Sequence, residues 1–66
     1  MKIKLIIGDK EDTMDITGNQ TVKDLLNSID IASETVVVKK NDAIVIDEEI
    51  LEDGDLLEVI QVIYGG

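Results

Sequence analysis

The sequence closes on Gln61-Val62-Ile63-Tyr64-Gly65-Gly66, an apolar run that gives way to two glycines and a carboxylate. Glycine has no side chain, so Gly65 and Gly66 form a thin thread able to enter a channel too narrow for other residues. Beyond Ile63 the thread is three residues, about 10 Å when extended. Its tip is an α-carboxylate with a reference pKa of about 3.3–3.7, ionised at neutral pH. A free carboxylate does not acylate anything, because its leaving group would be oxide. Joined to the α-phosphate of ATP as an acyl-adenylate, it becomes a strong electrophile. A thiol, a sulfur donor or a lysine amine can then attack the carbonyl, and glycine leaves that carbonyl sterically open. On composition alone, a diglycine that merely ends the chain is an equal reading.

Other chemistry is nearly absent. The chain has no Cys and no His. That removes disulfides, thiolate chemistry, the commonest general base and the commonest zinc ligand. Ser28 and Ser33 have no base to activate them. No catalytic residue is assigned, and an enzyme is not expected. Asp47, Glu48, Glu49, Glu52, Asp53 and Asp55 crowd one region, but the calcium-loop spacing of alternating acids before a glycine is missing. A solvated acidic loop with a Gly54 turn is the expectation there, and no metal site.

With 66 residues there is room for one small domain. A chain this short buries only about 60% of its unfolded surface. Its 24 Ile, Leu and Val residues are a large aliphatic supply for that length. The net charge of −9 disfavours nucleic acid and anionic membrane surfaces and steers toward basic partners. The opening "MKIKLIIG" is too short an apolar stretch for a signal peptide, and no run reaches membrane-spanning length. A soluble, cytoplasmic monomer is expected.

The elements that must position the tail follow from hydrophobic period. Ile3, Leu5 and Ile7 alternate as in a strand with one strongly buried face. Gly8 to Asp12 forms a turn segment, and Thr13 to Thr17 alternates again, which predicts an antiparallel hairpin. Thr21-Val22-Lys23-Asp24 has the form of a capping box with Asp as the acid. Val22, Leu25, Leu26 and Ile29 follow at helical spacing, predicting a short helix over 22–29. A β-branched run from Thr35 to Lys40 is the third strand. Asn41-Asp42 turns into a fourth over 43–46. There Ile44, Val45 and Ile46 are all apolar, so alternation assigns none of them to a face. Residues 47–52 form an irregular or single-turn segment laid over the core. Asp53-Gly54-Asp55 is a turn, and Leu56 to Ile63 is the last strand.

The first and last strands are the most apolar, which puts them in the middle of the sheet. The predicted fold is α+β, a β-grasp: a mixed sheet of four to five strands, its first and last strands central and parallel, with one helix across one face. Residues 1–63 form this domain and 64–66 a flexible Tyr-Gly-Gly tail. The predicted core is Ile3, Leu5, Val22, Leu25, Leu26, Ile29, Val36, Val38, Leu57 and Val59. Alternation places Ile60 and Val62 on the opposite face, where with Ile6 and Val37 they form an apolar patch beside the tail.

The stretch "EDGDLLEVIQVIYGG" resembles the ubiquitin-like β-grasp sulfur carriers of thiamin and molybdopterin biosynthesis (ThiS/MoaD-like) and the small archaeal ubiquitin-like modifiers. The shared features are the turn Asp53-Gly54-Asp55, the apolar strand from Leu56 to Ile63, and Gly65-Gly66. "VVVKKND" is similar to the family's strand-and-turn pattern. The resemblance implies that an ATP-dependent, ubiquitin-activating-like enzyme adenylates Gly66. The terminus then becomes a thiocarboxylate that donates sulfur to a synthase, or is joined by an isopeptide bond to target lysines. Both routes pass through one adenylate, and sequence does not separate them. Gly66 would be the acyl terminus and Gly65 its narrow approach; Tyr64, Ile63, Val62 and Ile60 would meet the partner. ATP belongs to the activating enzyme, and no cofactor is bound. Two departures stand out: Tyr64 where many relatives carry a small or aliphatic residue, and Asp42 at a turn position where Gly is common. The alternative is a non-catalytic β-grasp interaction module with an idle tail.

Overall fold

The computed structural model describes residues 1–62; residues 63–66 lie outside the described part. The order is β1 (Lys2–Ile7), β2 (Lys10–Asp15), α1 (Val22–Ser28), a 3-10 turn (Ser33–Thr35), β3 (Val36–Lys40), β4 (Ala43–Val45) and β5 (Leu56–Gln61). One five-stranded sheet runs β2-β1-β5-β3-β4. The most apolar strands, β1 and β5, pair in parallel at its centre, and every other pairing is antiparallel.

The first hairpin is tighter than its sequence suggests. Ile7 pairs with Lys10, so Gly8 and Asp9 alone make the loop. Gly8 takes φ +63°, as the first central position of a primed hairpin turn requires. Lys10, Glu11 and Asp12 therefore belong to β2 and not to the turn. An edge strand exposed on both faces needs no apolar alternation, which is why these charges hid it.

Seven residues of helix are marginal alone. Here α1 is fixed at both ends and along one side. The Thr21 hydroxyl accepts from Asp24 N–H at 3.1 Å, while the Asp24 carboxylate accepts from Thr21 N–H at 3.1 Å. At the other end Ile31 N–H reaches the Leu26 carbonyl (2.9 Å) and Asp30 N–H the Asn27 carbonyl (3.2 Å), a Schellman closure with Asp30 at φ +66°. Val22, Leu25 and Leu26 are buried against the sheet.

The core holds Ile3, Leu5, Ile16, Val22, Leu25, Leu26, Val38, Leu51, Leu57 and Val59. Ile29 and Val36, expected inside, are only half-buried at its margin. Ile29 caps the helix after its last full turn, and Val36 opens β3 beside the 3-10 turn. Ile16 and Leu51 replace them. Leu51 is pulled in by backbone pairing: its N–H donates to the Gln20 carbonyl (2.8 Å), and Ile50 bridges Thr21. Strand β4 ends at Val45, one residue short of the expected 43–46, and only Val45 turns inward; Ile44 and, just past the strand, Ile46 are 71% and 69% exposed.

Asn41 and Asp42 both adopt positive φ, +52° and +74°, in the two-residue turn between β3 and β4. This is the left-handed region that glycine enters without steric cost. Asp42→Gly is therefore expected to stabilise the chain by about 1 kcal/mol, raising Tm by roughly 4–8 °C. Thermal unfolding of the variant checks this, and an unchanged or lower Tm contradicts it.

Candidate functional site

Strand β5 leads the chain toward its terminal residues from the middle of the sheet, held by β1 on one side and β3 on the other. Val62 N–H still donates to the Thr35 carbonyl at 3.2 Å, and the described chain stops there. Of the residues singled out from sequence, Ile60 and Val62 are described. Ile63, Tyr64, Gly65 and Gly66 lie outside the described residues.

The alternation of β5 separates two surfaces. Leu57 and Val59 point into the core, while Ile60 and Val62 are each 38% exposed on the opposite face. Val37 lies directly across from Ile60 on that face, and Ile6 is across from Glu58. Leu56 and Ile44 share it as well, by register with Lys4 and Lys39. Sequence reading had missed Leu56 here, although its even spacing from Ile60 and Val62 carries the signal.

This face is electrically balanced. Register puts Lys2, Lys4 and Lys39 on it with Glu11, Asp15 and Glu58. Lys4 and Glu11 are paired at 3.5 Å. Three of the six lysines and three of the fifteen acids lie here, so the remaining three lysines face twelve acids elsewhere. The net charge of −9 thus resides on the helix side, the edges and the loops. An apolar contact on the balanced face meets no large repulsive field.

The turn that launches β5 is held by its acids. Gly54, at φ +86°, donates its N–H to the Lys2 carbonyl (2.8 Å), and the Asp53 carboxylate accepts from Lys2 N–H (2.8 Å). Among the described residues, Asp55 is the buried polar one. Its carboxylate accepts from Glu52 N–H (2.7 Å) and the Asn41 side-chain amide (3.0 Å). Asn41 Oδ1 in turn accepts from Leu56 N–H (3.0 Å). Asp55 and Asn41 thereby lock the β3–β4 turn to the start of β5. Two of the remaining acids of this region are also engaged: Asp47 accepts from the Ser33 hydroxyl (3.0 Å) and Glu49 from Lys40 (2.9 Å). Among the described residues, no group of three acids converges as a metal ion would need, and no helix is long and apolar enough to cross a membrane.

Lys40 closes this network. Its ammonium donates to Glu49 Oε2 and to the Ile50 carbonyl (3.2 Å), and lies 3.7 Å from Asp55 Oδ2. The Glu49 hydrogen bond above all holds its pKa over the ordinary 10.5; burial opposes this, and the charges of Asp55, Glu49 and Glu52 reinforce it. The folded chain therefore holds this proton more tightly than the unfolded one. That contribution to stability is complete below pH 10.5 and is lost as pH rises through the folded value. Lys40→Met is expected to lower Tm near neutral pH and to flatten its alkaline decline. Melting curves of both chains across the alkaline range check this; parallel declines contradict it.

Comparison with known proteins agrees with this geometry. The ThiS family model matches residues 3–66. Among solved structures, the thiamine biosynthesis protein ThiS from Geobacter metallireducens is 28% identical, with 96% of this chain and 99% of that one aligned at a TM-score of 0.66. SAMP1 from Haloferax volcanii is 18% identical over the whole of both chains, with a TM-score of 0.77. A ubiquitin-like protein from Caldiarchaeum subterraneum is 21% identical over 98% of this chain and 100% of that one, at 0.65. The last two share the fold. A central parallel β1–β5 pair, one helix on one face and a family match running through the diglycine make this chain a ubiquitin-like β-grasp protein that belongs to the ThiS family.

Proposed function

We propose that this chain is a small sulfur-carrier or modifier protein whose Gly66 carboxylate is the reacting group. In this reading an adenylating enzyme joins Gly66 to the α-phosphate of ATP and releases pyrophosphate. A sulfur donor then displaces AMP to give a thiocarboxylate, or a target lysine displaces it to give an isopeptide bond. The chain itself supplies no catalytic side chain; it presents an acyl group to enzymes that do. The observation that carries the proposal is the family match, which extends over Gly65 and Gly66.

The sheet face supports it. An enzyme that acts on Gly66 must hold the body of the protein close by, and Ile60 and Val62 lie four to six residues upstream. They form, with Val37 and Ile6, an apolar surface without net charge. Docking there would be driven by removing apolar area from water, with weak dependence on salt.

The test is ATP–pyrophosphate exchange by the adenylating enzyme from the same cells. Ile60→Asp is expected to raise KM for this chain by about tenfold or more with kcat nearly unchanged, because the contact is uniform and remote from the reacting carbon. Ile60 is outside the core, so the variant should melt close to the parent. An unaltered KM would remove the sheet face from the site. Exchange that persists after loss of the Gly66 carboxylate would remove the proposal itself.

A further inference from the structure

The two edges of the sheet are built differently. On β2 four of six residues are charged, Lys10, Glu11, Asp12 and Asp15. Such an edge resists pairing with another chain. The opposite edge, β4, is Ala43-Ile44-Val45, continued by Ile46, and carries no charge at all. Pairing with β3 occupies one side of it only. The turn leaves Lys40 and Ala43 as the closing pair. In that pattern the N–H and C=O of Ile44 point away from β3, along the free edge. The side chains of Ile44 and Ile46 are the two most exposed large apolar groups among the described residues.

Acids bracket this edge. Asp42 precedes it; Asp47 and Glu48 follow. Glu49 is offset by Lys40 at 2.9 Å. By register Lys40 lies across from Ala43, and Lys39 lies between Ile44 and Glu58 on the sheet face.

We propose that the free edge of β4 receives an extended segment of a partner protein, a strand with alternating aliphatic residues and Lys or Arg at both ends. Backbone hydrogen bonds would come from Ile44, aliphatic contact from Ile44 and Ile46, and end-to-end charge matching from Asp42, Asp47 and Glu48. A second copy of this chain fits badly. Antiparallel β4 strands would set Asp42 of one chain against Asp47 and Glu48 of the other and join two bodies of net charge −9. Only β3 lies between β4 and Ile60 on β5, and the Ile44 side chain shares the sheet face with Ile60, but the backbone edge proposed here points away from β3 and from that face. The inference holds whatever Gly66 does.

The experiment titrates the isotope-labelled full chain with blocked synthetic peptides of alternating valine and threonine, flanked by paired lysines or by paired glutamates. Amide shifts and hydrogen exchange are read by NMR. The lysine-flanked peptide is expected to perturb and protect 42–48, and to bind at least about tenfold more tightly than the glutamate-flanked one. Ile44→Lys is expected to abolish this binding, with the rest of the spectrum unchanged. Ile44→Pro, which removes the outward N–H at a position where an edge tolerates proline, should do the same. Equal binding of both peptides, shifts centred on β2 or on Ile60, or no shifts at all would overturn the proposal. So would self-association in sedimentation that Ile44→Lys removes.

Discussion

A chain carrying a primary amide in place of the Gly66 carboxylate is expected to give no adenylate. Attack on the α-phosphate of ATP needs a carboxylate oxygen, and an amide offers a poor nucleophile in its place. Pyrophosphate exchange should fall to background, a loss of about a thousandfold or more, equivalent to over 4 kcal/mol of barrier. Deleting Gly66 is a gentler change. It leaves a carboxylate on Gly65 but draws it back by about 3.3–3.6 Å. Misplacement of the reacting atom on that scale should still cost about a hundredfold or more. The core runs from Ile3 to Val59, so both variants should melt like the parent. Substantial exchange by the amide would show that the reacting group lies elsewhere.

Asp55→Ala is expected to have the largest effect on stability. It removes the acceptor of Glu52 N–H and of the Asn41 amide, and the nearest buried counter-charge to Lys40. The two donors and the Lys40 contact are part-buried, so each lost donor costs about 1 kcal/mol and the charged contact less than the penalty of a fully buried pair. Together a net loss of about 2–3 kcal/mol is the expectation. A chain of 66 residues has a total stability of roughly 3–10 kcal/mol. Urea unfolding should show a lower midpoint at similar slope. Asp55→Asn, which keeps one acceptor oxygen, should lose about half as much. A loss under about 1 kcal/mol for the alanine variant would contradict the role given to this turn. Where the variant is still folded, its rate of adenylation should match the parent, because Asp55 shapes the start of β5 and not its end.

The architecture was legible in the sequence because its signals are local and agree. Period-two alternation marks β1 and β5, and a capping box with a helical stripe marks α1. Their apolarity placed β1 and β5 at the centre, and the turn Asp53-Gly54-Asp55 set the start of β5. The buried residues that the sequence concealed share one cause: burial imposed by long-range pairing. Leu51 sits among acids, and nothing nearby shows that its backbone pairs with Gln20. Ile16 follows a polar edge strand and is drawn in by its bond to the Met1 carbonyl (2.7 Å). Asp55 reads as an ordinary turn residue, because the donors that bury it come from Asn41 and Glu52. Of the candidate site, the exposed side of β5 was predictable from alternation. The balance of charge across that face was not, because it depends on which β2 and β3 residues line up with β1 and β5.

The tail also determines how its own chemistry can be detected. The last basic residue is Lys40, so trypsin would leave residues 41–66 as a branch on any modified lysine. Tyr64 directly precedes the diglycine, so cleavage after tyrosine by chymotrypsin would leave Gly-Gly alone. The most direct measurement is therefore mass spectrometry of this chain and its conjugates from their own cells, with chymotryptic digestion. We expect a population in which Gly66 has exchanged one oxygen for sulfur, or lysines of other proteins bearing Gly65-Gly66, or both. Finding only the free carboxylate, with no branched lysine under any growth condition, would contradict the assignment of Gly66 as the reacting group.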